Sequence, residues 1–365
     1  DVVGLQEATN WYCKKNLFSK KVVVYNFTEE FLAATKELGS EYVLAERDGI
    51  SALNIGYSIP AIPYLTMVRD PKTFQPIFGS DSAACGFEIG DALVIKKSLA
   101  DKVIKVGNTE YETSYSIVPK IMTIYRGYTW ADLDFNGKKV RLVTTHLESL
   151  WDSDKVPNAT KQAQQLVSDL ADTKMPLIVI GDFNSDPRDP RADSASNPGG
   201  QPEASATCPA QVVSPTIDTA IDNCNAYWVM RRAGFNDVGP DALNSAHFTW
   251  GMSALLDGPD LKRKKAALAM GNKYGFTDRL DYIFTRGGAT ALSSEIIGNI
   301  PLASGAYATD HAGIVATISI PANSELSPNL NAHEPFPISF WNWVGIAIVM
   351  LIASWIIYRR KRRGR

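Results

Sequence analysis

At 365 residues and 39.9 kDa, with 45% apolar and 21% charged side chains, the chain has the composition of an ordinary globular protein, which excludes a disordered one. Its formal charge of −2 hides a split: the last seven residues, RRKRRGR, hold six of the 37 cations and no acid, leaving 31 cations against 39 acids, a net of −8, over the rest. A chain-wide basic field, the mark of a dedicated nucleic-acid binder, is therefore excluded as well.

The chain opens inside an apolar run, DVVGLQEA, which predicts a buried strand ending in polar residues. Neither an initiator methionine nor an export leader precedes it, so an upstream stretch is expected. TEEFLAATKEL, Thr28 to Leu38, predicts a helix with Thr28 as N-cap and Phe31, Ala34 and Leu38 on one face. DALVIKK, Asp91 to Lys97, reads as a short strand. In YTWADLDFNGKKVRLVTTHLES, alternating residues flank Asn136-Gly137, a pair suited to the positive φ angles of a two-residue hairpin. TKQAQQLVSDLADT follows as a helix with Ala163, Leu166, Val167 and Leu170 on one face, and PLIVIGDFN as a strand. Residues 187 to 246, rich in Pro, Gly, Ser and Asp, predict long surface excursions. RLDYIF (Arg279 to Phe284) and HAGIVATISI (His311 to Ile320) are the last two strands. Strands interleaved with helices predict a layered α/β domain over residues 1–320, sheets inside and helices outside.

A polar, proline-bearing linker (residues 321–337) leads to SFWNWVGIAIVMLIASWIIY. These twenty residues carry no charge, enough at a helical rise to cross the hydrocarbon core. Trp341, Trp343 and Tyr358 lie near its ends, where amphipathic rings prefer the headgroup layer, and the basic tail 359–365 should stay cytoplasmic. Residues 338–358 are thus predicted as a single transmembrane helix, with the globular part on the extracellular or other exoplasmic side. Cys208 and Cys224, sixteen apart, suit a disulfide there with Cys13–Cys85 as the remaining pair; four reduced core cysteines fit equally. Asn26 (NFT) and Asn158 (NAT) are glycan acceptors if the source is eukaryotic.

Chemistry is suggested where apolar strands end in polar groups. Glu7 follows VVGL, His146 follows VRLVTT, Asp182 and Asn184 close IVIGDFN, Asp281 sits in RLDYIF, and Asp310-His311 precede GIVATI. Residues i and i+2 of an extended chain face the same side, so Asp182 and Asn184 can share one pocket. Alone, each such pair is also an ordinary turn motif; the recurrence of the pattern points to a site. Acids, an amide and two histidines suit a hard divalent cation together with acid–base work on a phosphate. No Gly-x-Ser-x-Gly elbow supports a serine hydrolase, and no His or Cys pair has zinc-ligand spacing. The basic run DLKRKK, Asp260 to Lys265, reads either as a contact for a polyanion or as a solvated face; His247 and His333 read as loop and solvated histidines.

LQE at Leu5 to Glu7, RGYTWADL at Arg126 to Leu133, TTHLES at Thr144 to Ser149, GDFNSDP, DRLDYIF at Asp278 to Phe284 and TDHAGIVA at Thr309 to Ala316 together resemble the endonuclease/exonuclease/phosphatase superfamily, in that family's order. The resemblance implies a four-layer α/β sandwich of two packed mixed sheets flanked by helices, and Mg2+-dependent attack of water on a phosphoester, with Mn2+ or Ca2+ as substitute ions. It implies Glu7 as metal ligand with Asp310 as an outer or alternative ligand. Asp182 would position or deprotonate water, and Asn184 would hold the phosphate. His311, oriented by Asp281, would contact phosphate or act as base, His146 would assist the leaving oxygen or the phosphate, and Arg126 would neutralise phosphate charge. That family also places a strand with a metal- or phosphate-binding Asn before LQE, and no such stretch precedes Asp1. The substrate implied is a phosphodiester, nucleic acid first and a phospholipid head group of sphingomyelinase type second. A catalytically inactive surface binding module is the third reading, and no protein partner is predicted.

Overall fold

The computed structural model describes residues 1–321 apart from 17, 62–63, 66–67, 71–72, 74, 80–81, 119–121, 153–154, 193–200 and 252–260. The linker from residue 322, the candidate membrane segment and the basic tail lie outside the described residues. Among the described residues no helix is long and apolar enough to cross a membrane.

Val2–Leu5 (β1), Asn10–Lys14 (β2), Val22–Asn26 (β3), Tyr42–Leu44 (β4) and Leu53–Ile59 (β5) gather around one fourteen-residue strand, Ala83–Lys96 (β6). β1 and β2 pair antiparallel with one edge of β6, β4 and β5 pair with the other, and β3 adds outside β2. The strand expected at Asp91–Lys97 is the second half of β6, whose length comes from partners on both sides that periodicity in one segment does not reveal. The second sheet runs Val103–Glu110 (β7), Gly127–Phe135 (β8), Lys138–His146 (β9), Leu177–Asp182 (β10) and Asp281–Arg286 (β11) in that order. β8 and β9 form the expected hairpin, with Asn136 at φ 56° and Gly137 at φ 89°. A final hairpin, Thr290–Ile297 (β12) and Gly313–Ser319 (β13), pairs separately.

Between the two sheets lie Leu93, Ile95, Val140, Leu142, Ile178 and Ile283. On the far face of the second sheet, Val143, Val179 and Phe284 pack against Ala163, Leu166 and Leu170 of helix Asn158–Asp169 (α2) and Trp228 and Met230 of helix Ala226–Arg232 (α3). Helix Phe27–Glu37 (α1) lies against the first sheet, with the Phe31 ring 6.1 Å from that of Tyr42. The result is an α/β sandwich of mixed sheets with few helices.

Several expectations are corrected. Asn26, not Thr28, caps α1: it ends β3 in extended backbone, and its Oδ1 accepts the Glu29 N–H at 3.1 Å. Ala34 and Leu38 are exposed, the latter at 86%, while Thr28 is buried and Phe31, Leu32 and Thr35 are half-buried, because the helix covers only the sheet's margin. α2 starts at Asn158, directly after Pro157, and the Asn158 amide is buried and donates to Leu150 O at 2.9 Å, so this sequon presents no free acceptor. The stretch 187–246 is more than surface excursion: α3 and the side chains of Asp189 and Arg191 are buried. Both disulfides form, Cys13–Cys85 directly across β2 and β6, and Cys208–Cys224 within that stretch. Loss of the second, in a Cys208→Ser/Cys224→Ser variant, is expected to lower unfolding free energy by about 3 kcal/mol through the freed loop entropy. Denaturant unfolding checks this; an unchanged midpoint refutes it.

Candidate active site

Strand register builds the site. β9 runs parallel to β10 with His146 opposite Asp182, and β10 runs antiparallel to β11 with Asp182 opposite Asp281. Directly opposed residues project from the same face, and adjacent strands lie about 4.8 Å apart. Three polar side chains therefore form one row across three strands, with His146 Nε2 at 3.5 Å from Asp182 Oδ2. β1 crosses above this row. It comes so close that a Cβ on Gly4 would lie 2.6 Å from Thr144 Oγ1 and 2.7 Å from Ile180 Cδ1, so only glycine fits. Gln6 ties the crossing down by donating to Thr144 Oγ1 at 2.8 Å. Glu7 follows at φ 53°, its exposed carboxylate within electrostatic reach of both Asp182 and a buried acid of β6, Asp91.

The other wall is the segment leading into β13. Trp250 pairs through its backbone with both Asp278 and His311, and its indole N–H reaches Asp310 Oδ2 at 3.4 Å. His311 Nδ1 donates to Asp281 Oδ2 at 2.9 Å, leaving Nε2 3.8 Å from Asp182 Oδ2. Burial alone would lower the His311 imidazolium, but the charges of Asp281 and Asp182 and the bond to Asp281 outweigh it and hold the group up at about 10. Asp182 is pushed up to about 8 by desolvation, opposed by the His311 charge and reinforced by those of Asp281 and Glu7.

On the opposite side of Asp182, His146 is kept neutral. Burial lowers it well below the ordinary value, and the charges of Arg126 and His311 add to that. Arg126 Nη1 donates to His146 Nδ1 at 2.9 Å; a guanidinium cannot accept, so the imidazole proton sits on Nε2, facing Asp182. Arg126 also lies 3.6 Å from buried Glu148. The carboxyl of Asp91, which receives the Glu7 backbone N–H, is 3.9 Å from His146 Nδ1 and is raised to about 7, mainly by burial. Its Oδ1 has no hydrogen-bond partner.

Asn184 sits at φ 44°, and its amide donates to Leu147 O at 2.8 Å and, weakly, to Asp182 Oδ2 at 3.3 Å. Its backbone N–H holds Asp182 Oδ1 at 2.8 Å. To hold a phosphate oxygen, the second amide hydrogen must leave Asp182. Just behind this loop lies a buried ionic network. Asp186 binds the Arg188 side chain at 2.7 Å and the Arg279 backbone N–H at 2.8 Å; Arg191 lies between Asp189, at 3.0 Å, and Asp278. The network fastens the segment carrying Asp182 to the one carrying Asp281.

The structure brings Arg126, His146, Asp182, Asn184, Asp281 and His311 into one row of contacts, with Glu7 within electrostatic reach of Asp182 and Asp310 of His311. Asp310 takes the Trp250 indole N–H and lies outside the group of Asp182, Asp281 and His311 whose ligand atoms all lie within 4.8 Å of one another. Sequence reading missed Asp91, an acid opening an otherwise apolar run, and Glu148, inside the quoted TTHLES. The donors fit a hard divalent cation: carboxylate oxygens that repel one another, an orphaned buried oxygen on Asp91, and an exposed Glu7 carboxylate beside them.

A cation should therefore stabilise the fold, and most strongly at alkaline pH. Asp91 and Asp182 rise from an ordinary 3.8 to about 7 and about 8, so each loses folding stability as pH climbs through that interval; His311, at about 10, loses its contribution above neutrality. All three signs agree. Thermal unfolding with chelator is expected to show stability declining from pH 5 to pH 8, and one fixed divalent-cation concentration, about a hundred times the Kd at pH 8, to restore about 2.7 kcal/mol at pH 8 and less at pH 5, where protonated carboxyls weaken binding. An equal cation effect at both pH values would contradict the assignment.

The sequence matches the Endonuclease/Exonuclease/phosphatase family over residues 1–311. No curated protein sequence matches it. Similar solved structures include an endonuclease/exonuclease/phosphatase family protein from Leptotrichia buccalis C-1013-b (16% identity, 88% of each chain covered, TM-score 0.48). Another is D. rerio TDP2 complexed with single strand DNA product (16% identity, 87% of this chain and 86% of that one, TM-score 0.45). A third is the endonuclease/exonuclease/phosphatase from Bacteroides vulgatus (15% identity, 88% and 85%, TM-score 0.41).

Proposed function

Because the chain belongs to the endonuclease/exonuclease/phosphatase family and is a metal-dependent phosphoester hydrolase, we propose that it is a Mg2+-dependent nuclease held on the exoplasmic face of a membrane by residues 338–358. The observation that carries the hydrolytic part is the register row His146–Asp182–Asp281, closed by His311. The uncharged run ending in RRKRRGR supports the anchor.

Glu7, Asp182 and Asp281 would hold the cation, with Asp310 behind them. Bound, it supplies Lewis-acid polarisation of the phosphoryl oxygens. The chain's own groups divide the remaining work. Asp182 orients water and takes its proton. His311, protonated and held by Asp281, donates Nε2–H toward the phosphate. His146, neutral with its proton on Nε2, donates from the other side toward the phosphate or leaving oxygen. Arg126 offsets charge on the phosphate and orients His146 through the bond to its Nδ1, while Glu148 holds Arg126 in place. Asn184 adds one amide hydrogen once it releases Asp182.

A lipid phosphodiesterase is the second reading. It is favoured by Ile300 and Leu302, 71% and 48% exposed in the segment between β12 and β13 that leads to His311. The test is turnover of DNA, RNA, sphingomyelin and a chromogenic phosphodiester with Mg2+, using His311→Ala and Asp182→Ala as controls. Nucleic-acid cleavage abolished by chelator and by both substitutions is expected. Sphingomyelin turnover without nucleic-acid cleavage would replace the nuclease reading, and turnover insensitive to both substitutions would remove the mechanism.

A further inference from the structure

The basic run left undecided between substrate contact and solvated face forms helix Leu261–Ala269 (α4). Lys262, Lys264 and Lys265 are exposed on it, while Arg263 turns inward. The Arg263 guanidinium lies 4.0 Å above the Trp250 indole, donates to Thr277 Oγ1 at 3.3 Å and lies 3.9 Å from Asp278. Trp250 is the residue that pairs with His311 and bonds Asp310. One stacked pair therefore fixes the cationic helix to the His311 wall of the cleft, and buried Ala267 and Asn272 hold its C-terminal end.

The lysines of α4 differ from others on the surface. Lys21, Lys96, Lys97, Lys102 and Lys155 each lie against a carboxylate, with Nζ–O distances of 2.8 to 3.0 Å. Among the described residues no ion pair involves Lys262, Lys264 or Lys265. In a chain whose first 358 residues carry a net charge of −8, three clustered cations that make no ion pair among the described residues, on a helix stacked against the His311 wall, call for an anion from outside. Lys262 to Lys265 span one helical turn, about 4.5 Å of rise, and long flexible ammonium arms serve as point-charge contacts to a phosphate backbone without reading bases.

We propose that α4 is a docking helix for the phosphates flanking the scissile one on the His311 side. The substrate is then a polynucleotide strand, chosen by its run of charges, and not an isolated phosphate ester. This rests on the nuclease reading, and adds to it where the strand lies.

The test compares wild type with the Lys262→Ala/Lys264→Ala/Lys265→Ala variant of the full chain, with saturating Mg2+. On a single-stranded oligonucleotide, kcat/KM is expected to fall at least about tenfold, and its log–log salt slope to become shallower by about 2, from three contacts at about 0.7 each. Turnover of bis(p-nitrophenyl) phosphate, which has no flanking phosphate, is expected to stay within about twofold, which also reports that the variant is folded. Unchanged oligonucleotide kinetics overturn the proposal while leaving the nuclease reading intact. Wild type that cleaves the chromogenic diester and no oligonucleotide overturns both. Loss of binding to phosphatidylserine vesicles, with oligonucleotide kinetics retained, assigns the helix to an anionic membrane surface and overturns the proposal.

Discussion

Asp182→Asn is expected to lower kcat by about 10^3-fold, within the 10^2 to 10^4 that a positioned proton acceptor contributes. The same change should leave the fold intact. Asp182 is 4% exposed and its ionised form is penalised by burial, so an isosteric amide removes a charge that the fold disfavours. Its Oδ1 can still accept the Asn184 N–H. The thermal midpoint of the cation-free variant at pH 8 is therefore expected to equal or exceed that of wild type, while the cation-induced rise shrinks. Activity lost together with a large drop in midpoint would mean that Asp182 is structural. Activity within tenfold of wild type would mean that another group handles the water.

Asp186→Ala is expected to act on stability first. The side chain is fully buried, and its oxygens take bonds from Arg188 and from the Arg279 backbone N–H. Arg188 in turn reaches Thr277 O at 2.8 Å and stacks 4.2 Å above Phe248. Arg191 is 4% exposed and is left with one acid fewer, so its charge is only partly compensated. Breaking one member of such a network costs about 3–5 kcal/mol. Denaturant unfolding measures it, and a loss under about 1 kcal/mol would show that the remaining acids compensate. Burial opposes ionisation of Asp186, but the charges and bonds of Arg188 and Arg191 more than offset this and hold it below the ordinary carboxylate range. A group of this sign loses its contribution as pH falls through the folded value, so the gap between wild type and variant should narrow in strong acid.

Much of the candidate site was legible in the sequence. Asn136-Gly137 announced its hairpin because the turn chemistry is local. Asp182 and Asn184 were visible because a strand that ends in glycine and then polar groups is a local pattern, and His146 and His311 because each adjoins an apolar run. What stayed hidden depends on partners far along the chain. Asp91 looked like the start of a strand, and becomes a site residue only when β6 aligns with β1, Leu5 opposite Ala92. Arg191 looked like a loop charge, and is buried because Asp278, eighty-seven positions later, meets it. The disulfides were open because spacing constrains pairing only weakly. The cap of α1 was misplaced by two residues because Thr28 also suits an N-cap, and the strand ending at Asn26 had no signal of its own.

β1 delivers Glu7 at one end of the domain's sequence and the approach to β13 delivers His311 at the other. A ribosome must therefore have released nearly the entire domain before a phosphate could meet all of its intended contacts. Emerging intermediates can already contain the β7–β10 core, with His146 and Asp182 in place, yet they lack the imidazolium wall. A chain that stops before His311 would lack that wall, and with it a group on which the proposed hydrolysis depends.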